Sequence, residues 1–176
     1  MTIFYLTEGL IAADASGFAW EYLSNRFQPL MSGTDFPTLP EGWPEQENTG
    51  ASKSHIHSSG CGLAFTLSRH LLGVYPAKPG FEECRIAPKL GHLEWAKGSY
   101  PSPKGDIQVD WRAGDGAFTM NVDLPANMKT RLCVPSGFSS RDYRCTLDGN
   151  PIEPKEEMQL RPGKHTVKCM PLKTGA

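Results

Sequence analysis

Residues 106–124 read DIQVDWRAGDGAFTMNVDL, and this stretch decides the fold class of the second half of the chain. Apolar and polar residues partly alternate on both sides of Gly114, Asp115 and Gly116. Alternation with a period of two is typical of a half-buried β-strand, and a glycine-rich turn between two such runs is typical of a hairpin. The stretch therefore predicts two antiparallel strands joined by a tight turn.

Similar short stretches lie on either side of this hairpin. Gly, Pro, Asp or Asn separates them at intervals of about ten residues, and Asp148, Gly149 and Asn150 predict a second hairpin turn. The other stretches read FEECRIAP, HLEWAKGSY, TRLCVP, YRCTLDG and HTVKCMP. Seven or eight short strands predict a largely antiparallel β-sandwich over residues 80–171. Its expected core residues are Ile86, Leu93, Trp95, Val109, Trp111, Phe118, Met120, Val122, Leu132 and Val167.

The first half of the chain has a helical pattern interrupted by a long irregular segment. Apolar residues within residues 3–12 recur at close to helical spacing, and residues 59–74 predict a buried stripe of Leu63, Leu67, Leu71 and Val74, ended by Gly73 and Pro76. Between them, from residue 28 to residue 53, prolines and glycines predict a loop. We therefore expect an α+β chain, with helices in residues 1–77 and the sandwich in residues 78–176.

Composition excludes several classes of protein. Hydrophobic residues make up 39% and charged residues 21% of the chain, which is unlike a disordered, coiled-coil or collagen-like protein. The net charge of −1 provides no strong field for phosphate backbones or anionic lipids, so neither nucleic acid nor a membrane is an expected partner. The cysteines lack C-x-x-C spacing and are expected to be reduced thiols; they are Cys61, Cys84, Cys133, Cys145 and Cys169.

The first 17 residues are apolar but have no basic region, and Glu8 and Asp14 interrupt them. This pattern predicts neither a signal peptide nor a membrane span. The expected location is therefore the cytoplasm. The apolar stripe of the helical part is too large for a few helices to enclose, so we also expect an exposed apolar face that is covered by self-association or by a complementing chain.

Trp20 and Glu21 form the first candidate site. A carboxylate among aromatic side chains suits acid or base chemistry, and an aromatic wall beside a carboxylate is common in sugar-binding sites. The alternative is an ordinary charge at the rim of a helix. By itself the pair does not decide between the two.

His55 and His57 form the second candidate site, within residues 54–59, SHIHSS. They could bind a metal ion in a metal-dependent hydrolase, but no third ligand lies nearby. A nucleophilic triad with a serine and Glu21 lacks the G-x-S-x-G turn. Local hydrogen bonding at a helix entrance is the simplest interpretation, and neither a metal ion nor an organic cofactor is expected.

Several motifs resemble the C-terminal part of the α-L-rhamnosidases, which are inverting glycoside hydrolases. The family pattern has S-H-x-W-S, then L-S-R-x-x-L-G-V, P-x-x-P-G-F, I-x-P and G-x-I-x-V-x-W. This chain has SHIHS at residues 54–58, LSRHLLGV at 67–74, PAKPGF at 76–81, IAP at 86–88 and GDIQVDW at 105–111. The resemblance covers roughly residues 16–135.

The resemblance implies the end of an (α/α)6 barrel followed by a C-terminal β-sandwich. It places Glu21 at the position of the general base that activates water, with Trp20 beside the sugar subsite. His55 matches a histidine that contacts the substrate or the catalytic water. His57 stands where the family has tryptophan, so one stacking surface of the subsite is changed.

The resemblance also implies an incomplete site. Inversion requires a second carboxyl group about 6.5–9.5 Å from the first, and the family's general acid lies in barrel segments that this sequence does not contain. We therefore expect a C-terminal fragment of an α-L-rhamnosidase-like hydrolase, acting on rhamnose-containing glycosides and inactive alone. The alternative is a non-catalytic module whose β-sandwich binds carbohydrate or has a structural role.

Overall fold

The computed structural model of the protein describes residues 2–33, 61–154 and 157–172. The chain divides into two compact units, residues 1–67 and residues 68–176. The described part of the first unit is helical, and the second consists mainly of β-strands. This is the predicted α+β arrangement of a few helices followed by a β-sandwich. The proposed boundary between functional domains at residues 77 and 78 stays a prediction.

The described part of the helical unit contains three α-helices. They are α1 (Thr2–Ala12), α2 (Ser16–Gly33) and α3 (Cys61–Thr66). Helix α1 confirms the helix predicted over residues 3–12. After it, Asp14 adopts a left-handed conformation with φ 58°, and the Ala15 amide donates to the Leu10 carbonyl at 2.8 Å. Such a left-handed cap satisfies carbonyls at the end of a helix and allows the chain to begin a second helix at once.

The packing of these helices depends on a few side chains. Ile11, Trp20 and Leu23 are buried, and the rings of Phe4 and Phe65 meet edge to face at 5.5 Å. The loop predicted from residue 28 onward begins later than expected, because α2 continues to Gly33 through Pro29. Proline removes one backbone hydrogen bond from a helix, and here that loss does not end the helix.

The helix predicted over residues 59–74 differs in its second half. After α3 the chain forms a turn of π-helix over Leu67–Leu71, and Val74 already belongs to a strand. A π-helix uses i→i+5 hydrogen bonds, so side chains four apart no longer form one stripe. Leu67 is accordingly 36% exposed, and Leu63 is half-buried. The predicted end of the helix at Gly73 is confirmed.

Ten strands form two sheets in the described part of the second unit. The four-stranded sheet has the order β1-β2-β6-β9, and the six-stranded sheet has the order β3-β4-β5-β10-β7-β8. The strands are β1 (Val74–Pro76), β2 (Glu83–Ile86), β3 (Trp95–Ser102), β4 (Gly105–Gly114), β5 (Ala117–Leu124), β6 (Lys129–Leu132), β7 (Tyr143–Leu147), β8 (Asn150–Ile152), β9 (Met158–Leu160) and β10 (Gly163–Pro171). Each stretch predicted as a strand contains one, and β1, β8 and β9 were not predicted.

The two predicted hairpin turns are confirmed. Asp115 and Gly116 join β4 to β5 with φ values of 51° and 72°, and Asp148 and Gly149 join β7 to β8 with φ values of 52° and 83°. Two successive positive φ values are the signature of a type I′ turn, whose twist matches that of the flanking strands. Asp and Gly tolerate this conformation well, which is why the turns could be predicted from local sequence.

One hydrophobic core lies between the two sheets. Of the predicted core residues, those that are buried are Ile86, Val109, Trp111, Phe118, Met120, Val122, Leu132 and Val167. Leu93 is half-buried just before β3. The prediction for Trp95 is wrong, because its side chain is 65% exposed. Neighbouring residues of a strand point to opposite faces, and in β3 it is Ala96 that faces the core.

Trp111 also connects the core to the segment that precedes the sandwich. Its side chain is completely buried, and its indole N–H donates a hydrogen bond to the Leu71 carbonyl at 2.8 Å. Leu71 is the last residue of the π-helical turn, where carbonyl groups lose their helical partners. The indole therefore satisfies a carbonyl that the end of the helix leaves open.

The largely antiparallel arrangement that was predicted is confirmed, and the four-stranded sheet contains one parallel pair. Strands β2 and β6 run parallel and place Arg85 beside Arg131. Glu157 contacts both guanidinium groups, at 2.5 Å from Arg85 Nη2 and 3.0 Å from Arg131 Nη1, and Glu83 forms a further ion pair with Arg131. The carboxylates offset the repulsion that two like charges would have on adjacent strands.

The prediction that the cysteines are reduced thiols is wrong for two of them. Cys145 on β7 and Cys169 on β10 lie opposite each other in the strand register and form a disulfide bond. They are 24 residues apart in sequence, so only the pairing of the strands brings them together. Cys84 and Cys133 are not disulfide-bonded. Burial raises the pKa of the Cys84 thiol to about 12, which keeps it protonated.

Reduction of the Cys145–Cys169 bond is expected to lower the free energy of unfolding by about 3 kcal/mol, because the bond closes a loop of some two dozen residues in the unfolded chain. Urea denaturation with and without reductant measures this difference. The Cys84→Ala variant should show the same response to reductant, whereas Cys145→Ala/Cys169→Ala should show none. Free thiols at both positions in the non-reduced protein would contradict the prediction.

Candidate functional site

Trp20 and Glu21 lie next to each other on α2, but their side chains have different surroundings. Consecutive residues of a helix are rotated by about 100°, so one of them can face the packed side while the next faces outward. Trp20 is 3% exposed and Glu21 is exposed. The helix thus holds the Glu21 carboxylate at an accessible position, while Trp20 is buried on the packed side.

The other predicted site residues, His55 and His57, lie outside the described residues. The structure therefore gives no geometry for the pair of histidines or for their relation to Glu21. The roles of Glu21 as general base and of Trp20, His55 and His57 in substrate binding stay predictions. A single carboxylate can accept a proton from water, but inverting hydrolysis requires a second carboxyl group to protonate the leaving oxygen.

A second polar feature lies on the outer face of the six-stranded sheet. A depression of about 540 Å³ opens there, opposite the face that packs in the core. The outward-facing side chains that line it are Lys97, Ser99, Gln108, Asp110, Asn121, Asp123, Lys164 and Thr166. They come from β3, β4, β5 and β10, which are neighbours in the sheet. We name this feature the sheet depression.

The sheet depression was not predicted from the sequence, because its residues alternate with the core residues that defined the strands. Asp110 follows Val109, and Asn121 precedes Val122, so each polar residue was assigned to the solvated face of a strand. The available signal was the repetition of carboxamide and carboxylate residues at outward positions of neighbouring strands. These residues form a site only because the strand register places the strands side by side.

His165 marks one border of the sheet depression. Its Nδ1 lies 2.7 Å from Asp148 Oδ2, and its Nε2 lies 2.8 Å from the Arg161 carbonyl. Burial opposes the charged form of His165, but the hydrogen bonds to Asp148 and Arg161 outweigh it and raise the pKa of His165. Asp148 also accepts from the Thr166 amide at 2.8 Å. These contacts tie the β7–β8 turn to β10.

Residues 73–143 match the family model of the bacterial alpha-L-rhamnosidase C-terminal domain. This stretch is similar to that domain. The match runs from Gly73 to the first residue of β7, and it includes the hairpin from which the sandwich was predicted. It confirms the resemblance to the C-terminal part of the α-L-rhamnosidases.

Curated relatives agree with this assignment. An α-L-rhamnosidase of Alteromonas sp. (strain LOR) is 39% identical over 70 residues, which cover 39% of this chain and 8% of that protein. An α-L-rhamnosidase of Formosa agariphila is 26% identical over 111 residues, which cover 61% of this chain and 12% of that protein. The chain thus spans only a small fraction of the length of these relatives.

Solved structures of α-L-rhamnosidases share the fold. The Dictyoglumus thermophilum enzyme superposes with a TM-score of 0.76 at 18% identity, covering 96% of this chain and 20% of that one. The Streptomyces avermitilis enzyme, solved with L-rhamnose, superposes with a TM-score of 0.71 at 18% identity, covering 90% of this chain and 16% of that one. In the described part of the present chain, no helix is both long and apolar enough to cross a membrane.

Proposed function

We propose that this chain provides the C-terminal part of an α-L-rhamnosidase-like glycoside hydrolase, with Glu21 as the general base of an inverting site. The observation that supports the proposal is the match of residues 73–143 to the rhamnosidase C-terminal domain, which follows helix α2 later in the chain. The accessible position of Glu21 on α2 supports this role, because a general base must reach the attacking water. The substrate class is a rhamnose-containing glycoside.

The residues have separate tasks in this proposal. Glu21 accepts a proton from water while the water attacks the anomeric carbon, and a carboxylic acid contributed by another part of the barrel protonates the leaving oxygen. His55 orients the water or the sugar. His57 helps to form the subsite, and Trp20, which is 3% exposed, contributes by packing within the helical unit rather than by stacking on the sugar. No metal ion or cofactor takes part.

The isolated 176-residue chain is expected to be inactive, because acid assistance alone contributes about 10²- to 10⁴-fold in rate and the remaining substrate contacts are also missing. Hydrolysis of an aryl α-L-rhamnoside by the purified chain tests this expectation. No turnover above the uncatalysed rate is expected. Robust turnover that disappears in Glu21→Gln would overturn the fragment proposal and show a full site in this chain.

A longer rhamnosidase that carries this segment tests Glu21 itself. Glu21→Gln should abolish turnover and retain substrate binding, because an amide keeps the shape of the side chain but cannot accept the proton. Glu94→Gln is the matched control, since Glu94 is also exposed but lies in the β-strand unit. Equal activities of the two variants would contradict the role of Glu21.

The proposal also covers the association of the helical unit and the location of the protein in the cell. Phe65 is 46% exposed, and Leu67 is also exposed, so we propose that the helical unit packs against a second copy or a complementing chain through its apolar face. The cytoplasmic location expected from the sequence also stays a proposal. A disulfide between Cys145 and Cys169 is more typical of oxidising compartments, so the oxidation state of this pair in cells tests the location.

A further inference from the structure

The strand register groups the side chains of the sheet depression into two rows. Ser99, Gln108, Asp123 and Lys164 are successive partners across β3, β4, β5 and β10. In a sheet, directly opposite side chains lie about 5 Å apart on the same face. Each row therefore presents four polar groups in a line that crosses the strands.

The second row consists of Lys97, Asp110, Asn121 and Thr166, which are likewise successive partners. Thr166 Oγ1 donates to Asn121 Oδ1 at 2.8 Å. Because this bond occupies the amide oxygen, the two N–H groups of Asn121 are directed away from Thr166 and can donate to a ligand. The centre of the depression thus offers oriented amide donors beside carboxylate acceptors.

The charges of the sheet depression balance. Lys97 pairs with Asp110 and Lys164 pairs with Asp123, each with nitrogen and oxygen atoms 3.9 Å apart. These separations are longer than a hydrogen bond, so the carboxylates retain lone pairs for hydroxyl donors. The lining of the depression itself therefore carries no net charge, whereas Arg112 and Lys168 lie on the same face in the row of Trp95, outside that lining. The complementary ligand is neutral and carries many hydroxyl groups.

Trp95 supplies an apolar surface at the end of this polar region. It lies two residues before Lys97 on β3, on the same face, and its side chain is 65% exposed. Residues two apart on a strand are separated by about 6.5–7 Å, which is close to the width of one sugar ring. An exposed indole stacks well against the C–H face of a sugar, whose hydroxyl groups then reach neighbouring polar side chains.

We propose that the sheet depression, with Trp95 at its edge, is a binding site for a neutral saccharide. Trp95 stacks on one sugar ring, and Asn121, Asp110 and Asp123 bind the hydroxyl groups. The site lies wholly in the β-strand unit and uses none of the residues assigned to hydrolysis. The proposed saccharide site therefore does not depend on the proposed role of Glu21, and each can be tested without the other.

Two-dimensional NMR of the full 176-residue chain tests this site by titration with three saccharides. L-Rhamnose, a neutral rhamnose-containing oligosaccharide and an acidic polygalacturonate fragment are titrated separately. The Trp95 indole N–H signal and the amides of β4, β5 and β10 are expected to shift with a neutral sugar. The Trp111 indole N–H is the internal control, because it is buried and bonded to the Leu71 carbonyl.

Variants separate a specific site from a general surface effect. Trp95→Ala and Asn121→Ala are each expected to weaken saccharide binding by about tenfold. Met170→Ala is the matched control, since it removes another exposed apolar side chain from the outer face of β10 and should leave the affinity unchanged. Glu21→Gln should also leave it unchanged.

Three outcomes would overturn the proposal. One is the absence of shifts at Trp95 with every neutral sugar, tested up to the limit of solubility. Another is preferential binding of the polygalacturonate fragment, since that result would contradict the charge argument. The third is equal affinity of Trp95→Ala, Asn121→Ala and Met170→Ala, because binding would then lie elsewhere on the chain.

Discussion

Replacement of Trp111 by alanine is expected to lower the free energy of unfolding of the β-strand unit by about 3–5 kcal/mol. The side chain is completely buried between the two sheets, so its removal leaves a large cavity among residues such as Met120. The same change removes the indole N–H that bonds to the Leu71 carbonyl, and the loss of this partly buried hydrogen bond adds a further cost.

Two further variants divide this effect into its parts. Trp111→Phe retains an aromatic ring but loses the indole N–H, so we expect a smaller loss than for alanine. Trp95→Ala is the matched control, because Trp95 lies on the neighbouring strand β3 with its side chain exposed. A change at such a surface position is expected to stay within about 0.5 kcal/mol.

Urea denaturation followed by far-UV circular dichroism at a wavelength that reports on β-sheet measures these differences. Unfolding free energies are compared only between variants that have the same m-value, the slope of the free energy against urea concentration. A change in m-value would indicate a different unfolded state. If Trp111→Ala and Trp95→Ala lost equal stability, the assignment of Trp111 to the core and of Trp95 to the outer face would be wrong.

Gly73→Ala is expected to have the second large effect, a loss of about 3 kcal/mol or more from steric overlap and backbone strain together. Gly73 has φ 78°, and a Cβ atom placed there would lie 2.3 Å from the Pro88 nitrogen and 2.5 Å from the Ala87 carbonyl carbon. These are backbone atoms, which cannot move aside as the end of a side chain can. The first residues of β1 and the segment after β2 would have to separate.

Gly80→Ala provides the control for backbone strain alone. Gly80 also has a positive φ, 63°, but a Cβ atom there would meet nothing within 4 Å. Its replacement is expected to cost only about 1 kcal/mol, the usual penalty for a left-handed non-glycine residue. The difference between the two variants isolates the overlap with residues 87 and 88.

Hydrogen exchange identifies the backbone hydrogen bonds that Gly73→Ala weakens. The Ala87 amide donates to the Gly73 carbonyl at 2.9 Å, and this bond should lose protection in Gly73→Ala but not in Gly80→Ala. Comparable stability and comparable exchange in both variants would contradict the close approach of the two segments.

The β4–β5 hairpin shows how much of the fold follows from local sequence. Strand alternation and the Gly-Asp-Gly turn act over a few residues, and the structure has both as predicted. The burial of Trp111 and Phe118 follows from the same alternation. The sequence also predicted a helix at Thr2–Ala12 and strands in the second half of the chain. Each prediction depends on a periodic pattern within one segment.

The face of β3 on which Trp95 lies could not be predicted from the local sequence. Its stretch is short, and the alternation is interrupted by small residues, so the sequence does not reveal which of two neighbouring positions faces the core. A shift of one residue moves every side chain of a strand to the other face. Pairing of β3 with β4 decides the matter, by placing Ala96 beside Trp111 and Trp95 beside Arg112.

The candidate sites divide in the same way. The resemblance of Glu21 to a rhamnosidase base came from the sequence by itself, because a motif is a local property, whereas helix α2, which carries Glu21, was not predicted. The disulfide between Cys145 and Cys169 and the sheet depression required the tertiary structure. Their residues are distant along the chain, and only the register of antiparallel strands, set by the burial of one face of each strand, brings them within reach of each other.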